Sequence, residues 1–215
     1  MNKKFREPVS GFTHLFGAIV SLVGLIAMII KSIRMDYSNN MVLVSSIIFG
    51  LSLVFLYTAS SVYHLVISSD GVIKFLRKLD HSMIFVLIAG TYTPICLILL
   101  EGYWRWGIFI SIWSLAILGV ILKIFWFNSP RWLYTSFYIF MGWLLVCALS
   151  PLSKVLSSKG FLWLFLGGIF YTIGGVIYAI KVPNISKKFG FHELFHIFVL
   201  LGSFSHFLLV YKYVL

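Results

Sequence analysis

Seven apolar stretches, each about as long as a lipid bilayer is thick, constrain this chain more than any other feature. They cover approximately residues 12–30, 41–67, 81–100, 104–126, 131–150, 160–180 and 191–214. A helix needs about 20 apolar residues to cross a hydrocarbon layer of about 30 Å, so each stretch predicts one membrane-spanning helix. The segments between them are too short for a soluble domain. We therefore expect an all-α integral membrane protein, a seven-transmembrane-helix bundle in which residues 1–215 form a single domain.

The first stretch follows several basic residues, as the apolar part of a signal peptide does. It is too long for that role, and no small-residue cleavage site follows it. We expect it to be retained as the first helix of the bundle.

The basic residues predict how the bundle is oriented. The chain has 17 Lys and Arg against 6 Asp and Glu, and most of the basic residues lie between the apolar stretches. Six fall on one side of the predicted membrane and eleven on the side of the N-terminus, namely Lys3, Lys4, Arg6, Lys74, Arg77, Lys78, Lys123, Arg131, Lys181, Lys187 and Lys188. Because basic loops remain in the cytoplasm, we expect the N-terminus inside and the C-terminus outside the bacterial cytoplasmic membrane. This pattern indicates membrane orientation and argues against a nucleic-acid partner.

With this orientation, most of the ionisable side chains inside the apolar stretches lie near the cytoplasmic face. They come from four different helices, and isolated polar residues would not be expected to converge in this way. The residues concerned are His14, His64, Asp80, His81, His192 and His196. Polar groups at this depth are costly unless they are paired or ligated. A functional site is therefore predicted at the cytoplasmic ends of these helices.

Two histidines at the start of the last apolar stretch have the spacing of metal ligands. His192 and His196 are four residues apart, so they lie on one helix face about 6 Å from each other. If His64 is a third ligand, the set leaves a fourth position open, as catalytic zinc sites do. Water in that position would have a pKa near neutrality and could act as a nucleophile. The alternative is that these are interfacial histidines bonded to loop carbonyls.

Asp80 and Ser60 are the candidate catalytic residues beside this cluster. Asp80 could accept a proton from the water or orient it, and Ser60, one turn from His64, could hydrogen-bond a developing oxyanion. The alternatives are an interfacial salt bridge from Asp80 to Lys78 or Arg77, and a packing role for Ser60. Together these residues predict metal-assisted hydrolysis of an amide or ester in a membrane lipid.

The segment from His192 to His196 also matches the His-Glu-x-x-His pattern of zinc proteases, in which Glu193 would be the general base. Glu193 lies about 100° from the helix face that carries both histidines. Intramembrane proteolysis is therefore kept as an alternative interpretation. His206 lies about 15 Å further along the helix. It is either a neutral histidine bonded inside the bundle or part of a polar path to the site.

Four motifs, in this order along the chain, resemble the hemolysin III family, the bacterial branch of the progestin and adiponectin receptor superfamily. They are Ser60-Ser61-Val62-Tyr63-His64, Leu79-Asp80-His81-Ser82, Ala89-Gly90-Thr91-Tyr92-Thr93-Pro94, and His192-x-x-x-His196 followed by His206-Phe207. The resemblance implies a zinc ion held by His64, His192 and His196, with Ser60 and Asp80 as the remaining members of the family signature. It also matches Glu7 and His14 to the pattern that opens these proteins, without giving either a role.

The resemblance leaves several functions open. One is a hydrolase in which zinc is catalytic and a membrane lipid is the substrate. Another is a non-enzymatic membrane regulator or receptor-like protein in which zinc is structural. The family name suggests a third, membrane lysis, which a bundle of retained apolar helices suits poorly.

Overall fold

The computed structural model describes residues 4–35, 40–186 and 189–215. Seven helices in this part of the chain are long and apolar enough to cross a membrane. They are α1 (Pro8–Met35), α2 (Asn40–Leu65), α3 (Asp70–Leu99), α4 (Gly102–Phe125), α5 (Arg131–Leu152), α6 (Ser158–Ile180) and α7 (Phe191–Val214). The described residues contain no strand, and the predicted all-α seven-helix fold is confirmed. Lys3, Lys187 and Lys188, which entered the charge count, lie outside the described residues.

The start of α3 differs most from the sequence-based boundary. The helix begins at Asp70, not at residue 81, and so carries Lys74, Arg77 and Lys78 on its first turns. The extra residues lengthen it by about 16 Å at 1.5 Å per residue. Hydropathy does not detect helical residues in the polar boundary of the membrane. The negative carboxylate of Asp70 stabilises a helix that starts there, because it lies at the positive end of the helix dipole. As a consequence Asp80 lies three turns inside the helix.

Three of the helices change their winding before they end. α3 is α-helical to Pro94 and continues as a π-helical turn, Ile95–Leu99. α5 is α-helical over Arg131–Trp143, tightens to a 3₁₀ segment at Leu144–Ala148 and ends in the turn Leu149–Leu152. α7 is α-helical over Phe191–Leu209 and ends in the π-helical turn Val210–Val214.

The buried Tyr92 hydroxyl satisfies backbone groups where α5 changes from α to 3₁₀ winding. It donates to the carbonyl of Met141 at 2.7 Å and accepts the amide of Leu145 at 3.0 Å. Backbone groups inside a membrane need such partners because no water is available to them. Tyr92 thereby fixes α5 against α3.

Helix packing brings the two ends of the sequence together. α1 packs on α2, α2 on α3 and α3 on α4, while α5 packs on α6 and α6 on α7. α7 also packs on α1 and α5 touches α3, so the bundle closes on itself. The start of α1, the end of α2 and the start of α7 therefore meet at one end of the bundle.

Candidate metal centre

Three histidines meet where α2 ends and α7 begins. His64 lies in the last turn of α2, and His192 and His196 lie in the first two turns of α7. One ring nitrogen of each lies within 4.8 Å of the other two, and the Nε2 atoms of His64 and His192 are 3.3 Å apart. In a tetrahedral zinc site with Zn–N distances of about 2.0–2.1 Å, two ligand nitrogens lie about 3.3–3.4 Å apart. The predicted ligand set is thus brought together at separations that suit one metal ion.

The outward nitrogens of two of these rings are held by other groups. Nδ1 of His64 donates to Oε2 of Glu7 at 2.5 Å, and Nδ1 of His196 faces the carbonyl of Ser10 at 3.3 Å. A donor role for Nδ1 leaves Nε2 with its lone pair, and in His64 it is this nitrogen that faces His192. Metal-binding histidines are usually oriented by such a carboxylate or carbonyl on the other nitrogen.

Glu7 is placed by the segment that precedes α1. Its backbone amide donates to the carbonyl of His64 at 2.9 Å, which pins the segment across the end of α2. The hydrogen bond from His64 is the main cause that lowers the pKa of Glu7 below its ordinary value, so the group is a carboxylate. The structure therefore gives Glu7 the role that the sequence left open. Its place directly before a helix, in a chain with only 6 acidic residues, is a signal that could have indicated this role.

His14 packs directly on the cluster. Its ring stacks on that of His196, with centroids 3.6 Å apart and planes 10° from parallel, and it contacts Tyr57 edge-on. Both nitrogens of His14 are buried, and neither has a hydrogen-bond partner in the described part of the chain. His14 thus fixes the plane of the His196 ring by stacking.

Asp80 and Ser60 lie in the wall of a cavity that also includes His192 and His196. Asp80 is 7% exposed, lies beside Ser60 and interacts electrostatically with His64 and Lys123. Among the described residues no ion pair joins Asp80 to Lys78 or Arg77, and Nζ of Lys78 donates to the carbonyl of Ile124 at 2.8 Å. The structure therefore brings Asp80 and Ser60 to the same cavity wall as His192 and His196, and the interfacial salt bridge does not form.

Glu193 lies on another side of α7. Oε2 accepts the amide of Gly190 at 2.9 Å, which caps the start of the helix, and Oε1 accepts the hydroxyl of Ser10 at 2.9 Å. Oε2 thus caps the start of α7, and Oε1 links α7 to α1. These two contacts give Glu193 a structural role at the start of α7.

His206 and His81 also line the cavity. The ring of His206 bonds through Nε2 to the carbonyl of Leu164 at 3.2 Å. Nearby, the Ser203 hydroxyl lies 2.7 Å from that of Tyr171. His81 contributes its carbonyl to the Tyr138 hydroxyl, and its ring lies near Phe127. Neither histidine belongs to the metal cluster.

The cavity extends from the histidine cluster into the bundle and has a volume of about 430 Å³. Much of its wall is apolar or aromatic, with contributions from Leu56, Leu87, Ile139, Phe195 and Val199. Ligand pockets of a few hundred cubic ångströms with a mostly apolar wall and a few convergent polar groups are typical of small-molecule sites. This one suits a hydrocarbon chain with a polar end at the histidines.

Comparison with known proteins places the chain in a family. A family model described as "Haemolysin-III related" matches residues 2–207. The chain belongs to this haemolysin-III related family. It is 39% identical to the "Hemolysin-3 homolog" of Bacillus subtilis (strain 168) over 208 residues, 96% of this chain and 93% of the relative. The "Hemolysin-3" of Bacillus cereus is also 39% identical, over 210 residues, 97% of this chain and 92% of the relative.

A more distant likeness extends beyond the haemolysin-III proteins. The "Adiponectin receptor protein" of Drosophila melanogaster is 25% identical over 217 residues, which is 91% of this chain and 48% of that protein. The resemblance read from the four motifs is therefore confirmed at the level of the family and supported for the superfamily. The seven apolar helices and the family together make this an integral protein of a bacterial membrane.

Proposed function

We propose that this haemolysin-III protein is a zinc-dependent hydrolase that cleaves an amide or ester bond in a membrane lipid. One observation carries the proposal. Three imidazoles have mutually close nitrogens, and two of them, His192 and His196, line a cavity whose wall also holds Asp80 and Ser60. A structural site would need none of these neighbours, since structural zinc is usually closed by four protein ligands.

The residues present fit zinc. Three neutral imidazoles are suitable ligands for it, and the spacing of His64 and His192 matches a tetrahedral edge. Zinc bound there would polarise a carbonyl group and make a water molecule nucleophilic near neutral pH. The contacts of Glu7 and Ser10 hold two of the rings in the orientation that ligation requires.

The other residues would act on the substrate and the water. Asp80 would take the proton of the attacking water and pass it to the leaving amine or alcohol. The Ser60 hydroxyl would donate a hydrogen bond to the oxygen that gains negative charge. The apolar wall would hold the acyl chain in line with these groups and exclude bulk water from them.

We further propose that this site lies at the cytoplasmic face. Among the described residues eight Lys and Arg lie at the end of the bundle that carries the histidines, and six lie at the opposite end. The end richer in basic residues is the cytoplasmic one by the positive-inside rule.

The test is turnover by the purified, zinc-loaded protein on ceramides, N-acyl amides and phospholipids, measured as released fatty acid. We expect release from at least one class, its loss on chelation and its recovery when zinc is returned. The Asp80→Asn variant should keep zinc and lose turnover. A protein that holds zinc through the three histidines but releases no fatty acid from any class contradicts the proposal.

A non-enzymatic regulator with structural zinc is the second candidate. It is favoured by the way the cluster joins α2 to α7 and, through Glu7, to the segment before α1. Such a site would act as a staple, and Asp80→Asn would then change neither zinc content nor any regulatory output. The same variant therefore separates the two candidates.

A further inference from the structure

Lys123, near the end of α4, is a buried cation in the wall of the cavity. Its side chain is 3% exposed, and Nζ lies 3.5 Å from the centroid of the Tyr134 ring and 5.0 Å from that of Phe127. In the part of the chain that the structure describes, no carboxylate lies within 4.0 Å of this ammonium group, and Asp80 interacts with it only from beyond that distance. A buried charge is costly without a counter-ion, and contact with aromatic rings offsets only part of that cost.

Further polar groups line the same cavity. The hydroxyl of Ser129, in the turn between α4 and α5, is buried and has no hydrogen-bond partner among the described residues. Arg77 and Arg131 line the cavity as well, and each guanidinium lies over an aromatic ring, Phe127 for Arg77 at 5.3 Å and Tyr178 for Arg131 at 4.5 Å. These four residues, Lys123, Ser129, Arg77 and Arg131, are called the basic subsite below.

The charge balance of the wall favours an anionic occupant. Four cations line the cavity, the three of the basic subsite and Lys181, whereas Asp80 is the single acid among the described lining residues. With histidines neutral, these five side chains carry a net formal charge of +3. Arg and Lys donors with a hydroxyl beside them are the groups that bind phosphate or carboxylate oxygens. Basic residues that only orient a helix in the membrane would lie in the loops. Lys123 is instead buried and forms no ion pair within 4.0 Å.

We propose that the basic subsite binds the anionic head group, phosphate or carboxylate, of an amphiphile whose hydrocarbon chain occupies the apolar part of the cavity. The inference rests on the proposed function for the lipid nature of the ligand, and it adds that the substrate is anionic. A neutral ceramide would leave Lys123 and Ser129 without partners. An anionic lipid satisfies both and is held with its polar end between the subsite and the histidines.

The test compares two ligands that differ only in a phosphate group. Palmitoyl lysophosphatidic acid and monopalmitoylglycerol are titrated into the full-length protein in a neutral detergent, with binding measured directly and no turnover required. Both zinc-loaded and chelated protein are used, because a phosphate could otherwise bind through the metal. We expect the anionic lipid to bind tighter by about tenfold or more in both forms, as charge-assisted hydrogen bonds would provide.

Variants assign the effect to the subsite. Lys123→Met should reduce the preference for the anionic lipid to about threefold or less, and Lys123→Arg should retain it. The matched control is Lys74→Met. Lys74 is an exposed cation one turn before Arg77 in α3, and it does not line the cavity. Since Lys123→Met removes a buried unpaired charge, its thermal midpoint without ligand should equal or exceed that of the wild type. If the thermal midpoint of Lys123→Met is lower, the Ser129→Ala variant is used instead. It should weaken the preference for the anionic lipid by a few-fold.

Several results would overturn the inference. Equal binding of the two lipids to wild-type protein would do so, as would an unchanged preference in both Lys123→Met and Ser129→Ala. Displacement of the lipid by inorganic phosphate at equal concentration would show that the free anion is the ligand and not an amphiphile. Because binding is measured apart from catalysis, a preference without turnover would support the subsite while contradicting the hydrolase.

Discussion

Glu7 and His64, 57 residues apart in the sequence, are joined by a hydrogen bond of 2.5 Å between Oε2 and Nδ1. The bond connects the segment before α1 with the last turn of α2 and turns Nε2 of His64 toward His192. Glu7, which lies outside the membrane-spanning helices, therefore orients a histidine of the proposed metal site. Metal affinity in this protein should depend on this contact.

Replacing Glu7 by Gln should weaken zinc binding by about 10–100-fold, the usual effect of removing a carboxylate behind a histidine ligand. The neutral amide is a poorer acceptor for the Nδ1 proton and leaves the imidazole less basic. Competition with a chelator of known affinity measures the change. Glu101→Gln, which alters an exposed acid at the opposite end of the bundle, is the control. Equal affinity of Glu7→Gln and wild type would refute the role given to Glu7.

Zinc should stabilise the folded bundle through the three histidines. At a free zinc concentration 100 times the dissociation constant, mass action adds about 2.7 kcal/mol to the free energy of unfolding. Thermal melting in detergent, with and without zinc, should show this gain for the wild type. The gain should disappear in His64→Ala and His196→Ala and persist in His206→Asn. A full gain in His64→Ala would exclude that residue from the ligand set.

Glu193→Gln should retain bound zinc and, if the protein is a hydrolase, most of its turnover. The substitution weakens the cap at Gly190 and the bond from Ser10, so the thermal midpoint should fall modestly, by the equivalent of about 0.5–2 kcal/mol. Zinc content, fatty-acid release and melting are measured on the same preparation. Loss of turnover with zinc and stability intact would instead indicate the protease-like role of this glutamate.

Gly167→Ala should destabilise the contact between α6 and α7. A Cβ atom at this position would overlap the ring of His206, and overpacking of this kind costs about 1–3 kcal/mol. Gly107→Ala in α4 is the matched control, because a Cβ there would meet no atom within 4 Å. We expect the control to be neutral or to stabilise by up to about 1 kcal/mol through helix propensity. Melting of the two variants beside the wild type decides the question.

A reporter fused after Leu215 should be found on the outer side of the cytoplasmic membrane. A reporter fused in the turn between α2 and α3 should be found on the cytoplasmic side. The positive-inside rule and an odd number of spans require this pair of results. Enzymes that are active only on one side of the membrane serve as the reporters. The reverse pair would place the histidine cluster at the outer face.

Much of the fold could be predicted from the sequence because membrane insertion is a local requirement. Each of the seven spans carries its own run of apolar residues, so hydropathy located all of them and missed mainly the polar start of α3. The pair His192 and His196 was equally local, since helix geometry alone places residues four apart on one face. The two motifs that include Ser60 and Asp80 indicated the family but did not place either side chain.

The rest depended on tertiary structure, because it concerns contacts between helices that are distant in the sequence. Periodicity within α2 and α7 does not reveal that His64 and His192 bring their Nε2 atoms within 3.3 Å of each other. The docking of Glu7 on the end of α2 and the burial of Lys123 are likewise decided by lateral packing of the bundle. Lipid makes each span favourable separately, whereas the order in which the spans pack decides which polar groups share a site. The sequence by itself thus determined the seven helices and the pairing of two of the three clustered histidines, and the packing supplied the third histidine and the cavity beside them.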